Sequence, residues 1–186
     1  IPNTVSLKEQ RALIVTGANQ GGKSTFLRSL GIAQVLCQAG MYVPAKKYPL
    51  HAYEDIFTHF TRREDATMNM GKFEEELTRM EQILREAKKN TLILLNESFA
   101  TTTEVTAYQI AMDLMHTCLS EAVTVWMVTH ITKFAKELYG EHPENVLFLS
   151  AGRTEENEIR FQMYEKVPGD TSYGLTLYEQ MIGKIN

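Results

Sequence analysis

The stretch Ala12-Leu13-Ile14-Val15-Thr16-Gly17-Ala18-Asn19-Gln20-Gly21-Gly22-Lys23-Ser24 decides the fold of this chain. Its first five residues form an apolar, β-branched run that is typical of a buried strand. The next eight match the pattern G-x-x-x-x-G-K-[ST] in full. From residue 24 to residue 39 apolar side chains recur at helical spacing, and Gly40 is a natural stop. A buried strand, a glycine-rich loop and an amphipathic helix are therefore predicted to follow one another.

The glycine-rich loop predicts a phosphate-binding site. Glycines let the backbone curl so that successive N–H groups point at phosphate oxygens, and the helix start adds the positive end of its dipole. Lys23 would reach the β- and γ-phosphates, and the Ser24 hydroxyl would bind Mg²⁺. The alternative is a glycine-rich turn that carries Lys-Ser by chance, which the flanking strand and helix disfavour. We therefore expect ATP or ADP and Mg²⁺ as cofactors.

The rest of the chain alternates apolar runs with helical patterns, which predicts an α/β fold with a mostly parallel central sheet flanked by helices. Further strands are predicted at residues 91–95 and 122–129, and further helices at 73–87 and 103–119. Residues 146–149 and 159–164 predict an antiparallel pair around a polar turn at 153–157. We find no repeat or linker, so we expect one domain over residues 1–186.

The composition narrows the class of protein. Hydrophobic residues make up 44% and charged residues 23%, which describes a soluble globular chain. No apolar run approaches the roughly 18–20 residues that cross a bilayer, and residues 1–4 do not resemble a signal peptide. Two cysteines within helical patterns favour a reducing, cytoplasmic location. With 19 Lys+Arg against 23 Asp+Glu, the net charge of −4 argues against a domain that binds nucleic acid by itself.

A second candidate site segment, which contains an acidic residue, follows the strand predicted at residues 91–95. Asn96 stands where a Walker B motif carries Asp, and Glu97 comes next. Glu97 could orient the water that attacks the γ-phosphate, or accept its proton; the alternative is a strand-end carboxylate in solvent. Asn96 can accept a hydrogen bond from a Mg²⁺-bound water but brings no charge. We therefore predict Glu97 as catalytic, and Ser24, Asn96 and Glu97 as the metal site.

His130 closes the third apolar strand. The carboxyl ends of parallel strands gather at one edge of an open sheet, where ligands bind. This position predicts a catalytic, γ-phosphate-sensing role for His130; the alternative is a surface histidine.

Together these residues resemble the C-terminal ATPase domain of the MutS family, a branch of the ABC-type ATPases. The resemblance covers nearly the whole chain, and Asn19 within the loop is specific to this family rather than general to phosphate loops. Its motifs are Ile1-Pro2-Asn3, residues 16–25 ending at Thr25, Tyr42-Val43-Pro44-Ala45, Ile56-Phe57-Thr58, residues 71–77, Asn96-Glu97, Thr129-His130 and residues 171–175.

Two departures indicate a divergent MutS-like branch. The family's Asp-Glu followed by a Gly-Arg-Gly-Thr stretch is here Asn96-Glu97-Ser98-Phe99-Ala100-Thr101. The family's Ser-Thr-Phe of the signature loop is here Gly71-Lys72-Phe73. Mismatch recognition is therefore not carried over to this chain.

The resemblance implies head-to-tail pairing, in which Gly71 and Lys72 of one subunit approach the γ-phosphate held by the other. The alternative is that Lys72 is only a surface lysine. Asp65 lies where family members hold the water or metal. The resemblance also places the DNA-contacting parts upstream and a dimerisation extension downstream. We therefore expect a fragment of a longer protein that forms a homodimer and leaves DNA binding to its other parts, with no membrane partner.

The function implied is Mg²⁺-dependent ATP hydrolysis that drives conformational change in a DNA repair protein binding mismatched or branched DNA. A second hypothesis is a regulatory nucleotide-binding dimerisation module, in which Asn96 has made hydrolysis negligible. A third is a small-molecule kinase built on the same loop, which the absence of an obvious acceptor-binding lid disfavours.

Overall fold

The computed structural model describes residues 1–17, 20–60, 71–153, 159–169 and 183. The strands are β1 (Ala12–Gly17), β2 (Asp55–Phe60), β3 (Thr91–Asn96), β4 (Thr124–Val128), β5 (Val146–Arg153) and β6 (Ile159–Glu165). The helices are α1 (Lys23–Gln38), α2 (Lys72–Glu86), α3 (Glu104–Ser120) and α4 (Thr132–Glu141). Within these described ranges the strands form one sheet in the order β2-β3-β4-β1-β5-β6.

The sheet is parallel from β2 to β5, and β6 runs antiparallel to β5. This arrangement confirms the α/β class with a mostly parallel sheet and one antiparallel pair. The predicted turn at residues 153–157 was placed one residue too early, because Arg153 still pairs with Ile159 in the ladder. Residues 154–157 lie outside the described part of the chain.

Helices cover both faces of the sheet, which explains why its central strands are apolar without alternation. Successive side chains of a strand point to opposite faces. In β1, Ile14 packs on the face that α3 and α4 cover, and Leu13 packs on the face that α1 covers. Phe26 and Leu27 of α1 belong to the second of these layers.

The sequence patterns left two elements unassigned, β2 and α4. β2 mixes Asp55, Thr58 and His59 with apolar residues, and it lies at an edge of the described sheet. Such a strand carries no continuous apolar run that would distinguish it from a loop. α4 is only 10 residues long and contains Gly140.

The strand predicted at residues 122–129 is shorter in the structure. Ala122 has φ 57°, in the left-handed region, and forms a turn that precedes β4. The Val123 N–H donates to the Cys118 carbonyl of α3 at 2.8 Å, so Val123 still belongs to the helix-to-strand connection. No helix in the described ranges is long and apolar enough to cross a membrane.

Candidate functional site at the carboxyl edge of the sheet

The strand order brings the predicted site segments to one edge of the sheet. β4 lies between β1 and β3, so its end at Thr129-His130 lies between the glycine-rich loop and Asn96-Glu97. Two backbone hydrogen bonds continue the ladder beyond the strands. The Glu97 N–H donates to the Val128 carbonyl at 2.9 Å, and the Thr129 N–H donates to the Val15 carbonyl at 3.1 Å. The three segments are therefore held together by the backbone itself.

Glycine is required at the point where β1 turns into the loop. Gly17 has φ +110°, and a Cβ placed there would lie 2.9 Å from the Ala151 nitrogen. Both the conformation and the space exclude a side chain. Gly22 has φ +83° and caps the N-terminus of α1 without a side-chain hydrogen bond. A helix start of this kind offers its first N–H groups to a ligand or to water.

The loop and the start of α1 line a cleft of about 790 Å³. Residues 20–25 form one wall, and Glu97 reaches it from the end of β3. The structure therefore brings Gln20, Gly21, Gly22, Lys23, Ser24, Thr25 and Glu97 together, as the sequence predicted for one site. Ala18 and Asn19, also predicted there, lie outside the described residues, as do Asp65 and the motif at residues 171–175.

Lys23 is the most buried charge of the cleft, with 4% of its surface exposed. Its Nζ donates to the Gly17 carbonyl oxygen at 2.8 Å, so the side chain folds back along the loop. Burial lowers the pKa of Lys23, and the negative charge of Glu97 partly opposes that shift. A half-desolvated ammonium facing an open cleft gains from a multiply charged anion, because the local dielectric screens it weakly.

Glu97 is held in an uncommon backbone conformation. It has φ 52°, and Phe99 two residues later has φ 66°. Positive φ costs of order 1 kcal/mol or more for residues with a side chain and persists only where the surroundings impose it. Here Ser98 and Phe99 are both buried beneath Glu97, and Glu97 itself stays partly exposed in the cleft wall.

A buried histidine contacts the two residues that follow Glu97. The Nδ1 atom of His59, in β2, lies 2.7 Å from the Ser98 hydroxyl, and its ring stacks on Phe99 at 6.2 Å. Burial, with a contribution from Arg79, lowers the pKa of His59 to about 4, so the ring is neutral at pH 7. The sequence analysis missed this residue, because β2 itself was not predicted and its polar residues hide the buried histidine.

A second buried polar contact ties the same segment to α2. Glu76 is 7% exposed and its carboxylate accepts a hydrogen bond from Thr101 at 2.7 Å. The stretch after Glu97 is therefore fixed from two sides, by β2 through Ser98 and by α2 through Thr101.

Asn96 is 8% exposed at the end of β3, and its Oδ1 has no hydrogen-bond partner among the described residues. A buried acceptor without a partner costs about 1–3 kcal/mol, so a donor or a cation at this atom would be favourable. Ser24 and Glu97 add two more oxygens from the cleft wall. Oxygen donors are what Mg²⁺ prefers, and this donor set fits that ion.

Five of the predicted residues that the structure describes do not line the cleft: Gly17, Asn96, His130, Gly71 and Lys72. His130 follows β4 as expected but is exposed to solvent. Gly71 and Lys72 are also exposed, at the N-terminus of α2. The first turn of α2 carries Glu74 and Glu75, which already complement the helix dipole at this end.

An aromatic side chain also lines the cleft. Phe161 of β6 is 46% exposed, and a Cβ on Gly22 would lie 3.1 Å from its ring. Asn3 fixes the neighbouring amino-terminal segment, because its Oδ1 accepts from the Met163 N–H at 2.7 Å. Ile1 and Asn3 also belong to the lining. The cleft thus combines a buried cation, Lys23, with an exposed aromatic ring, Phe161, beside the glycine-rich loop.

Fold and cleft define an α/β domain with a glycine-rich loop at the carboxyl edge of its mostly parallel sheet. Over residues 13–183 the chain matches the family model described as MutS domain V, and it belongs to this family.

Relatives that carry the name DNA mismatch repair protein agree with this assignment. The chain is 35% identical over 122 residues to MutS of Thermotoga neapolitana, which covers 66% of this chain and 15% of that protein. It is 29% identical over 181 residues to MutS of Protochlamydia amoebophila, covering 96% of the chain and 18% of the relative. It is 30% identical over 187 aligned positions to msh3 of Aspergillus fumigatus, and the match covers 95% of this chain and 17% of that protein. The chain thus spans less than a fifth of the length of these relatives.

Proposed function

We propose that this chain is the Mg²⁺-dependent ATP-binding and ATP-hydrolysing domain of a MutS-family DNA repair protein. The observation that carries the proposal is that Lys23 and Glu97 line the same cleft at the carboxyl edge of the sheet. A buried lysine, an uncapped helix start and a carboxylate are what a phosphate-binding and phosphate-cleaving site needs. The family assignment and the mismatch-repair names of the relatives support the same conclusion.

Lys23 and the N–H groups at the start of α1 bind and orient the phosphates. Lys23 gives up its bond to the Gly17 carbonyl for a charged oxygen, which is the stronger acceptor for an ammonium group. The exposed ring of Phe161, beside the glycine-rich loop, offers an aromatic face to the rest of the nucleotide. A cation and an aromatic ring in one cleft together favour a nucleotide over inorganic phosphate.

Glu97 positions the attacking water or accepts its proton. Its strained backbone and its buried supports, Ser98 and Phe99, fix the carboxylate relative to the loop. Ser24, Glu97 and Asn96 hold Mg²⁺, which when bound neutralises charge on the phosphate oxygens. Asn96 brings no negative charge, so we expect weaker metal retention than at a site with Asp.

His130, Gly71 and Lys72 act on the nucleotide only in an assembly. Gly71 and Lys72 approach the γ-phosphate held by a second subunit, in a head-to-tail homodimer of the full-length protein. His130 senses the γ-phosphate from its exposed position after the end of β4. DNA is bound by other parts of the protein, and ATP turnover drives their rearrangement.

A second candidate function is regulatory: the domain binds ATP and pairs two subunits with negligible hydrolysis. Asn96 is the observation that favours it, because the missing charge weakens the metal site. Both candidates share the binding site and differ only in turnover.

The test combines binding and turnover. Lys23→Ala should lose most of its ATP affinity in a fluorescence or calorimetric titration, while Lys88→Ala, an exposed lysine outside the cleft, should bind like the wild type. Glu97→Gln should bind ATP normally but lose about 100-fold or more of the steady-state ATPase rate of the full-length protein. Wild-type affinity in Lys23→Ala would overturn the binding site. Glu97→Gln turning over ATP at a substantial wild-type rate would remove Glu97 as the catalytic carboxylate, and negligible turnover by the full-length wild type would favour the regulatory module.

A further inference from the structure

We propose that His116, Glu141 and His142 form a binding site for a first-row transition metal ion of the Zn²⁺ type, on the helical side of the domain. His116 lies in the last turns of α3, Glu141 is the last residue of α4, and His142 is its C-cap. Among the residues that the structure describes, this is the group whose His, Cys, Asp or Glu ligand atoms lie close enough to share an ion. It involves none of the residues that line the nucleotide cleft.

The distances between the three ligand atoms fit a small ion. They all lie within 4.8 Å of one another. The Nε2 of His116 is 2.7 Å from Oε2 of Glu141, and the Nε2 of His142 is 4.0 Å from the same oxygen. A tetrahedral site with metal–ligand distances of about 2.0–2.1 Å separates its ligand atoms by roughly 3.3 Å. The two distances to Glu141 therefore need to change by about 0.6 and 0.7 Å, and the distance between the histidine nitrogens by at most about 1.5 Å, which side-chain rotation provides.

The backbone holds the ligands in position before any ion binds. Met115, next to His116, and Leu138, one turn before Glu141, are both fully buried in the same core layer. The His142 N–H donates to the Leu138 carbonyl at 2.9 Å, so the C-cap is ordered with its helix. The two imidazole rings are already adjacent, in an edge-to-face arrangement with 5.9 Å between centroids. The backbone ordering that binding would otherwise require is therefore already in place.

The donor set selects the class of metal. Two neutral imidazole nitrogens and one carboxylate oxygen suit Zn²⁺, and also Ni²⁺, Co²⁺ and Cu²⁺, but not Mg²⁺, which prefers oxygen alone. The side chains of His116 and Glu141 are 45% and 42% exposed. A water molecule therefore reaches the fourth position. A bound ion would fasten the C-terminus of α4 to α3.

The experiment is a calorimetric titration of the nucleotide-free chain, first treated with chelator, with Zn²⁺. We expect one saturable site, a rise in melting temperature on Zn²⁺ addition, and no response to Mg²⁺ at the same concentration. His116→Ala and His142→Ala should each weaken Zn²⁺ binding at least about tenfold. His51→Ala is the matched control, because His51 is exposed and lies outside the cluster; it should bind Zn²⁺ like the wild type.

A second measurement does not depend on the stability of variants. The chain contains five histidines, and imidazole ¹⁵N spectra resolve each of them. Zn²⁺ should shift the nitrogen signals of His116 and His142 in one step and leave those of His51, His59 and His130 in place. Equal shifts of the exposed histidines, or Zn²⁺ affinity that survives His116→Ala and His142→Ala, would overturn the proposal and leave Glu141 and His116 as a plain hydrogen-bonded pair.

Discussion

Lowering the pH from 7 to 5 should destabilise the folded chain by about 2 kcal/mol through His59 alone. This ring is fully buried, and burial, assisted by Arg79, lowers its pKa from 6.5 to about 4. In the unfolded chain the same group titrates near 6.5. Between these two values the unfolded state binds one more proton, so the free energy of unfolding falls by up to about 1.4 kcal/mol per pH unit.

The direction of the pH effect on stability depends on whether the folded or the unfolded state takes up the proton first as the pH falls. The stability that neutral His59 permits is complete above pH 6.5, and it is lost progressively as the pH falls from 6.5 towards 4. Below about 4 both states are protonated and the loss levels off. A group with a raised pKa would give the opposite slope.

The assay is urea denaturation at pH 7 and pH 5, followed by circular dichroism, for the wild type and for His59→Asn. Asparagine keeps a polar atom close to the position of Nδ1, within reach of Ser98, and does not titrate. The wild type should lose about 2 kcal/mol more than His59→Asn over this interval, while the exposed control His51→Asn should follow the wild type. Equal losses in wild type and His59→Asn would refute the reasoning.

Three further predictions concern the loop, the metal and DNA. Gly17→Ala should cost about 1–3 kcal/mol in urea denaturation, because it combines positive φ with a 2.9 Å contact to backbone. Gly140→Ala, where a Cβ meets nothing within 4 Å, should be neutral or stabilising; equal costs would contradict the strain argument. Asn96→Asp should lower the Mg²⁺ concentration for half-maximal ATPase activity of the full-length protein, and an unchanged Mg²⁺ dependence would remove Asn96 from the metal site. The chain itself should bind duplex DNA with a Kd above roughly 10⁻⁵ M at physiological salt, measured by anisotropy. Sub-micromolar, structure-selective binding would contradict this last prediction.

Local patterns predicted the central strands and the helix that follows the glycine-rich loop. β1 and β3 follow from unbroken apolar runs, because the sheet is covered on both faces there, and α1 follows from helical spacing, because one side of it packs on the sheet. The same reasoning failed for β2, whose Asp55, Thr58 and His59 interrupt the apolar run. The order of the strands was not predictable either, because it depends on contacts between elements that are far apart in the chain.

The cleft was predictable as far as it depends on strand ends. Residues 20–25 and Glu97 meet because parallel strands bring their carboxyl ends to one edge. The side-chain contacts that hold the segment after Glu97 were not predictable from the sequence. His59 and Ser98 are separated by 39 positions, and Glu76 and Thr101 are separated by 25. Pairings at such separations leave no periodicity in the sequence.

These contacts also explain how the chain tolerates its departure from the family pattern after Glu97. Ser98, Phe99 and Thr101 stand in the stretch that differs, and each contacts a buried polar residue outside it. Ser98 bonds to His59, Phe99 stacks on the same ring, and Thr101 bonds to Glu76. A loop without these side chains would leave the buried histidine and glutamate unpaired, at about 1–3 kcal/mol for each lost partner. The altered loop and its partners in β2 and α2 therefore form one packed unit, and that unit keeps the Glu97 carboxylate in the wall of the cleft.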